Sequence, residues 1–278
     1  MKFDILESAK KNILIVAHRG SAAGNIPCNT IPAYEAALRQ GADMIEIDVD
    51  MSADGKLYIF HPGMEPHHLS YMERLKRLTS EEISRLRYLN YDRVYTQFPL
   101  NTLDEVLETF KGRCYINVDK FWRHPKEIYE AIRRHDMADQ IVVKSAPSDE
   151  VFRVLGEVAP ELPFMPIVGN KHEYHEQLMK SDVNYIGAEV VFSKESAPVA
   201  SEEFIEMMHK DNKLVWVNSI IYNYREQLSA GHSDDTAICS DPDLGWGWLA
   251  RRGFDLIQTD WTGMLISYLK ENNLYYKK

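Results

Sequence analysis

Eight short apolar runs, set apart by amphipathic stretches, constrain this chain more than any other feature of its sequence. They are Ile13 to Ala17, Met44 to Val49, Tyr115 to Val118, Ile141 to Val143, Pro163 to Val168, Asn184 to Gly187, Leu214 to Val217 and Asp255 to Gln258. A strand apolar on both faces has neither face in water, as a parallel sheet covered by helices requires. The intervening stretches carry helical stripes. Thr30 to Gln40 aligns Ile31, Tyr34 and Leu38 ahead of Gly41, and Thr102 with Glu105 has capping-box spacing at the start of a helix to Phe110. Further helices are read at Ser148 to Leu155, Glu173 to Met179, Glu202 to His209, Leu244 to Arg252 and Met264 to Leu269. This alternation predicts a (β/α)8 TIM barrel. With 278 residues and no interdomain linker, one domain over 1–278 is expected.

Two connections are longer than a barrel needs. Residues 62–98, between strands two and three, read as an insertion whose charged segment, Tyr71 to Leu89, looks helical. Asn218 to Gly245, after strand seven, reads as a second lid. Both follow carboxyl ends of strands, where barrel enzymes build their sites.

A formal charge of −10 argues against a whole surface that binds nucleic acid, so an anionic substrate has to be met by a local patch or a bound cation. Three widely spaced cysteines make neither a disulfide framework nor a CxxC site, and fit a reducing compartment. With no signal-peptide pattern and no membrane span, a cytoplasmic protein without stable membrane association is expected.

Glu46 and Asp48 stand two apart in MIEIDVD, so both side chains point one way and Ile45, Ile47 and Val49 the other. Two carboxylates facing a barrel interior repel unless a cation or basic group neutralises them; the bland alternative is a solvated acidic face. His18 ends strand one, with Arg19 and Gly20 next, which places a base, a fork-shaped cation and flexible backbone at the mouth. HRG alone is a weak signal. The order strengthens it: strand-end His18, then the ExD strand, then His61 in LYIFHPG.

The stretch AHRG through NIPCNT, QGADMIEIDVDMSADG and LYIFHPG resembles the glycerophosphodiester phosphodiesterases, whose pattern runs HRG, Pro-Glu-Asn-Thr, Gly-Ala-Asp, ExD, a DG turn and His-Asp. TLDEVLETF, YINVDK, KLVWVN and GFDLIQTDW carry the resemblance along nearly the whole chain. It implies a metal-dependent phosphoric diester hydrolase that cleaves a small-molecule glycerophosphodiester to glycerol phosphate and an alcohol. His18 and His61 would be the general base and acid, and Glu46, Asp48 and Asp119 would hold one divalent cation. Oxygen donors suit Mg²⁺ or Ca²⁺, with Mn²⁺ compatible. Arg19, Lys120 and Lys144 are candidate phosphate contacts, and Trp216 a candidate for packing on the alcohol, the bland readings being a solvated lysine and a core tryptophan.

The chain departs from the pattern at Cys28 (for glutamate), Pro62 (for aspartate) and Asp119 (for glutamate), and Lys120 is one place nearer the strand-three acid. Two alternatives stay open: a phospholipase C- or D-like lipid phosphodiesterase, which has a similar barrel and histidine pair, and a noncatalytic binding protein on the same barrel, which Cys28 and Pro62 favour. His67 and His68 read as exposed loop residues. His232, Asp234 and Asp235 read as either a metal cluster or a turn. Cys28 has no histidine near it in sequence to activate it as a nucleophile.

Overall fold

Apolar runs with no water-facing side pair edge to edge in chain order, and the last returns to the first. In the computed structural model, which describes residues 3–223 and 225–277, the strands are β1 (Leu14–Ala17), β2 (Met44–Met51), β3 (Tyr115–Asp119), β4 (Ile141–Ser145), β5 (Phe164–Val168), β6 (Gly187–Val190), β7 (Leu214–Asn218) and β8 (Leu256–Thr259). Each pairs in parallel with its sequence neighbours, and β1 pairs with both β2 and β8. This is the closed (β/α)8 barrel that the sequence predicts.

Alternation divides the core in two. Leu14, Val16, Met44, Tyr115, Val142, Met165, Trp216 and Leu256 fill the interior, and Ile5 and Ala9 of the helix Ile5–Ala9 pack against this layer beside the strand starts. Ile15, Ile45, Ile47, Val118, Val143, Val217 and Ile257 point outward into the helix layer. Since the amino-terminal half is packed with apolar side chains, polar inward positions are confined to the carboxyl ends.

The helices Ile31–Gln40 and Leu103–Phe110 stand where their stripes place them. Thr102 and Glu105 close a true capping box, and Gly41 ends the first helix at φ 102°. Three expectations need correction. The sixth strand is Gly187–Val190 rather than Asn184 to Gly187, because the buried Glu189 interrupts the apolar pattern that marks a strand. Tyr71 to Leu89 is not a long helix: only Leu75–Arg77 and Ser80–Ser84 are helical. The segment instead winds round its own core of Tyr58, Phe60, Leu75, Leu78, Ile83 and Tyr88, with buried Glu65 accepting from the Leu75 amide at 3.0 Å and from Arg74 Nη1 at 3.0 Å. Lastly, the helix Pro125–Arg134 joins β3 to β4 and was not read from the sequence, since its apolar stripe is outnumbered by charged residues.

Gly187 is the tightest backbone approach in the barrel. A β-carbon there would stand 2.2 Å from the Leu214 carbonyl oxygen, so no side chain fits without moving β6 from β7. Gly187→Ala should lower stability by about 1–3 kcal/mol, the range for overpacking. A thermal melt checks this, and an unchanged midpoint would mean that the strand pair yields freely.

Candidate active site

The pairing of β2 with β3 sets Asp48 opposite Asp119, and Glu46 precedes Asp48 on the same inward face. One ligand-capable oxygen from each of Glu46, Asp48 and Asp119 lies within 4.8 Å of the others. Asp48 is fully buried. Its Oδ2 accepts from Asn29 Nδ2 at 2.9 Å and pairs with Arg19 Nε at 2.9 Å, while its Oδ1 has no hydrogen-bond partner. The Arg19 amide donates to Glu46 Oε2 at 3.0 Å. Lys120 Nζ stands 2.5 Å from Asp119 Oδ2 and 3.9 Å from Asp48 Oδ1. Arg19 and Lys120 have φ of 55° and 64°, and non-glycine residues held there cost of order 1–3 kcal/mol each, strain that clusters at functional sites.

Desolvation, then the Asp48 charge, pushes the Glu46 carboxyl well above the usual range. Asp119 is held below it: burial opposes this, but Lys120 and Lys144 outweigh burial. A crowded carboxylate and an orphaned, buried Asp48 oxygen are what a cation among hard donors would resolve, so the residues fit a divalent ion.

His18 Nδ1 lies 2.8 Å from Asp260 Oδ1, which fixes the ring with Nδ1–H donating and leaves Nε2 free. Burial works to lower the His18 pKa, yet the Asp260 hydrogen bond and charge raise it overall. His61 follows the short strand Leu57–Ile59, which pairs antiparallel with the end of β2, and its Nε2 is 4.0 Å from Asp48 Oδ1. Burial lowers the His61 pKa and outweighs the pull of Asp48. Both rings, with Arg19, Glu46, Asp119 and Lys120, line one cavity of about 570 Å³ at the barrel mouth. Ile220, Tyr222 and Leu228 of the connection after β7 wall it, as the lid reading expects.

Lys144 also lines this cavity, but its Nζ is 2.6 Å from Glu189 Oε2 and 3.9 Å above the Trp216 ring. Trp216 is wholly buried in the interior layer, beneath the lysine. Glu189, which sequence reasoning missed, accepts from Asn218 Nδ2 at 2.6 Å as well. The signal that could have found it is an acid inside an otherwise apolar stretch, here single where Glu46 and Asp48 form a pair.

The GHSDD stretch does not gather as ligands: among the described residues, Glu46, Asp48 and Asp119 are the one such group. His232 is stacked on Trp248 at 3.8 Å and reaches Glu195. Asp234 is a buried hub that accepts from Ser219, Thr259, Trp246 Nε1 and the Asp260 amide, and so anchors the residue that holds His18. His67 is exposed, but His68 packs on Phe60 and has its Nδ1 4.0 Å from Cys28 Sγ.

Residues 164–269 match a family model described as a domain of unknown function. A glycerophosphodiester phosphodiesterase of Bacillus altitudinis is 34% identical over 142 residues, 47% of this chain and 57% of that enzyme. A solved glycerophosphoryl diester phosphodiesterase from Parabacteroides distasonis superposes with TM-score 0.79 at 18% identity, over 98% of this chain and 94% of that one. Curated relatives and solved structures similar to the chain are glycerophosphodiester phosphodiesterases, which supports membership of that superfamily. A second solved structure, a phosphodiesterase of Oleispira antarctica in complex with the product sn-glycerol-3-phosphate, shares the fold at TM-score 0.70 and 20% identity, over 93% of this chain and 97% of that one. Against the superfamily's Pro-Glu-Asn-Thr string, Cys28 is a thiol pushed up to about 12 by burial, and burial takes its neighbour His68 down to about 4. Both stay neutral near pH 7, so the pair is neither an activated nucleophile nor a hard-cation ligand.

Proposed function

We propose that this chain hydrolyses a small glycerophosphodiester to glycerol phosphate and an alcohol, with His18 and His61 moving the protons. The observation that carries the reading is the convergence of two histidines, Arg19, Glu46 and Asp119 on one mouth cavity, with buried Asp48 completing the carboxylate cluster behind them. The product complex of the Oleispira antarctica relative supports the substrate class.

In this reading Arg19 is fixed on Asp48 through Nε, which leaves its other guanidinium donors for the nonbridging oxygens of the phosphate, and Lys120 adds a second positive charge. One imidazole takes the proton of the attacking hydroxyl, and the other returns one to the departing alkoxide. Asp260 keeps His18 in the tautomer whose Nε2 serves either role. Glu46, Asp48 and Asp119 would hold Mg²⁺ or Ca²⁺, which when bound supplies charge neutralisation at the phosphate. Tyr222, Ile220 and Leu228 wall the cavity on the side of the connection after β7.

Purified protein incubated with glycerophosphodiesters should release glycerol phosphate, lose that activity in EDTA and regain it with Mg²⁺ or Ca²⁺. Full turnover in chelator would remove the cation from the reading, and no release from any glycerophosphodiester would remove the activity.

A further inference from the structure

A second cavity, larger than the first at about 1020 Å³, opens on the other side of the same two residues: His18 and Arg19 line both. The two spaces differ in character. The mouth cavity is bounded by Glu46, Asp119, Lys120, Lys144, Glu189 and Asn218, a polar lining suited to a hydroxylated, charged fragment. The second is walled by Ile238, Pro242 and Trp246 from the connection after β7 and by Trp261, Met264 and Tyr268 at the last helix, Thr262–Glu271. Trp261 and Met264 are each 48% exposed, held open on its rim with nothing over them. Arg19, shared with the mouth cavity, is the one lysine or arginine among its described walls, so the space offers no anion site apart from the shared one.

We propose that this groove holds the alcohol branch of the phosphodiester, and that this branch is an apolar chain or ring rather than a small polar alcohol. The inference rests on the phosphodiesterase reading above. A phosphorus placed between Arg19 and His18 has one ester oxygen facing each space. The glycerol phosphate half fits the polar cavity, and the other branch then extends past Asp260 along Trp261 and Met264. In the reaction the water oxygen bonds to phosphorus as the bond from phosphorus to the alcohol oxygen breaks. The alcohol oxygen takes up one proton of the water, the phosphate product keeps the water oxygen with the other proton, and no oxidant or further reactant is needed. The groove is far larger than a two-carbon polar alcohol would fill, and although Gln40, Asp260 and Glu271 also line it, its aromatic and aliphatic walls gain from apolar surface.

The test is a series of glycerophosphodiesters that differ only in the alcohol, from methyl to octyl, each used below its micelle concentration. Values of kcat/KM should rise by up to about four-fold per methylene until the groove is full, the limit for burying a CH₂. Met264→Glu and Ile238→Asp should erase that rise and leave the methyl ester within about two-fold. A flat series, or equal losses on methyl and octyl esters in both variants, would overturn the groove assignment and leave the activity standing. Glycerophosphocholine turned over faster than the octyl ester would make the aromatic wall a cation cage and also overturn the assignment. Binding of glycerol octylphosphonate, whose carbon–phosphorus bond resists hydrolysis, separates the two readings. Chain-length-dependent binding without turnover of any ester keeps the groove and removes the activity, and binding independent of chain length removes the groove.

Discussion

His18→Ala should lower kcat by about 10²–10⁴-fold, the usual contribution of a positioned acid or base, with little change in the melting midpoint. The small cost in stability follows from its surroundings. The ring makes one side-chain hydrogen bond, to an Asp260 that is half exposed, so removing it orphans no buried group. His61→Ala should cost a similar factor, because among the described residues no other imidazole stands within 4.0 Å of the Asp48 oxygen at the centre of the cluster. Proton transfer by the pair is one concerted service. The double variant should therefore fall only slightly below the worse single variant rather than by the product of the two losses. Steady-state kinetics on a glycerophosphodiester checks this, with KM nearly constant, since neither ring holds the ground-state phosphate in this reading. Unchanged kcat in either single variant would remove that histidine from the chemistry. Multiplied losses would mean that the two act in separate steps.

What could be read from the sequence was whatever leaves a periodic trace. Seven of the eight strands lie where mostly apolar runs place them, and Glu46 and Asp48 were legible as a pair because two charges at alternating positions stand out against Ile45, Ile47 and Val49. Glu189 is the same feature on β6, and there the single acid led to the strand being set three residues early. Its meaning depends on Lys144, a partner 45 positions away in the chain whose proximity exists only once the barrel closes. Asp119 needed the β2–β3 register to bring it opposite Asp48, and the family resemblance supplied it before geometry could. His68 read as a loop residue because its contacts, Phe60, Tyr88 and Cys28, come from three separate segments. Asp234 and Asp260 show the same limit: a turn-like GHSDD and a strand-end acid become one support for His18 only when the connection after β7 folds back on β8.

Lys144→Met should give the largest loss of stability of any single change at the mouth. Lys144 and Glu189 are both under a tenth exposed, paired at 2.6 Å, with Asn218 on the second carboxylate oxygen and the Trp216 ring beneath the ammonium. Removing the lysine leaves a buried carboxylate without its cation, with the Asn218 amide still donating to it, and breaking such a pair costs about 3–5 kcal/mol. Glu189→Leu should cost a similar amount by stranding the ammonium. The double variant, Lys144→Met with Glu189→Leu, should recover most of either loss, because it removes both desolvated charges and keeps the volume filled. Thermal unfolding of the four proteins gives the coupling directly. The same cycle decides what Lys144 does. A lysine serving mainly as a phosphate contact would raise KM when replaced and leave the midpoint nearly unmoved, with no rescue by Glu189→Leu. A lysine serving to neutralise Glu189 lowers the midpoint and is rescued. The 2.6 Å pairing predicts the second outcome, with Arg19 and Lys120 left as the cations that meet the substrate.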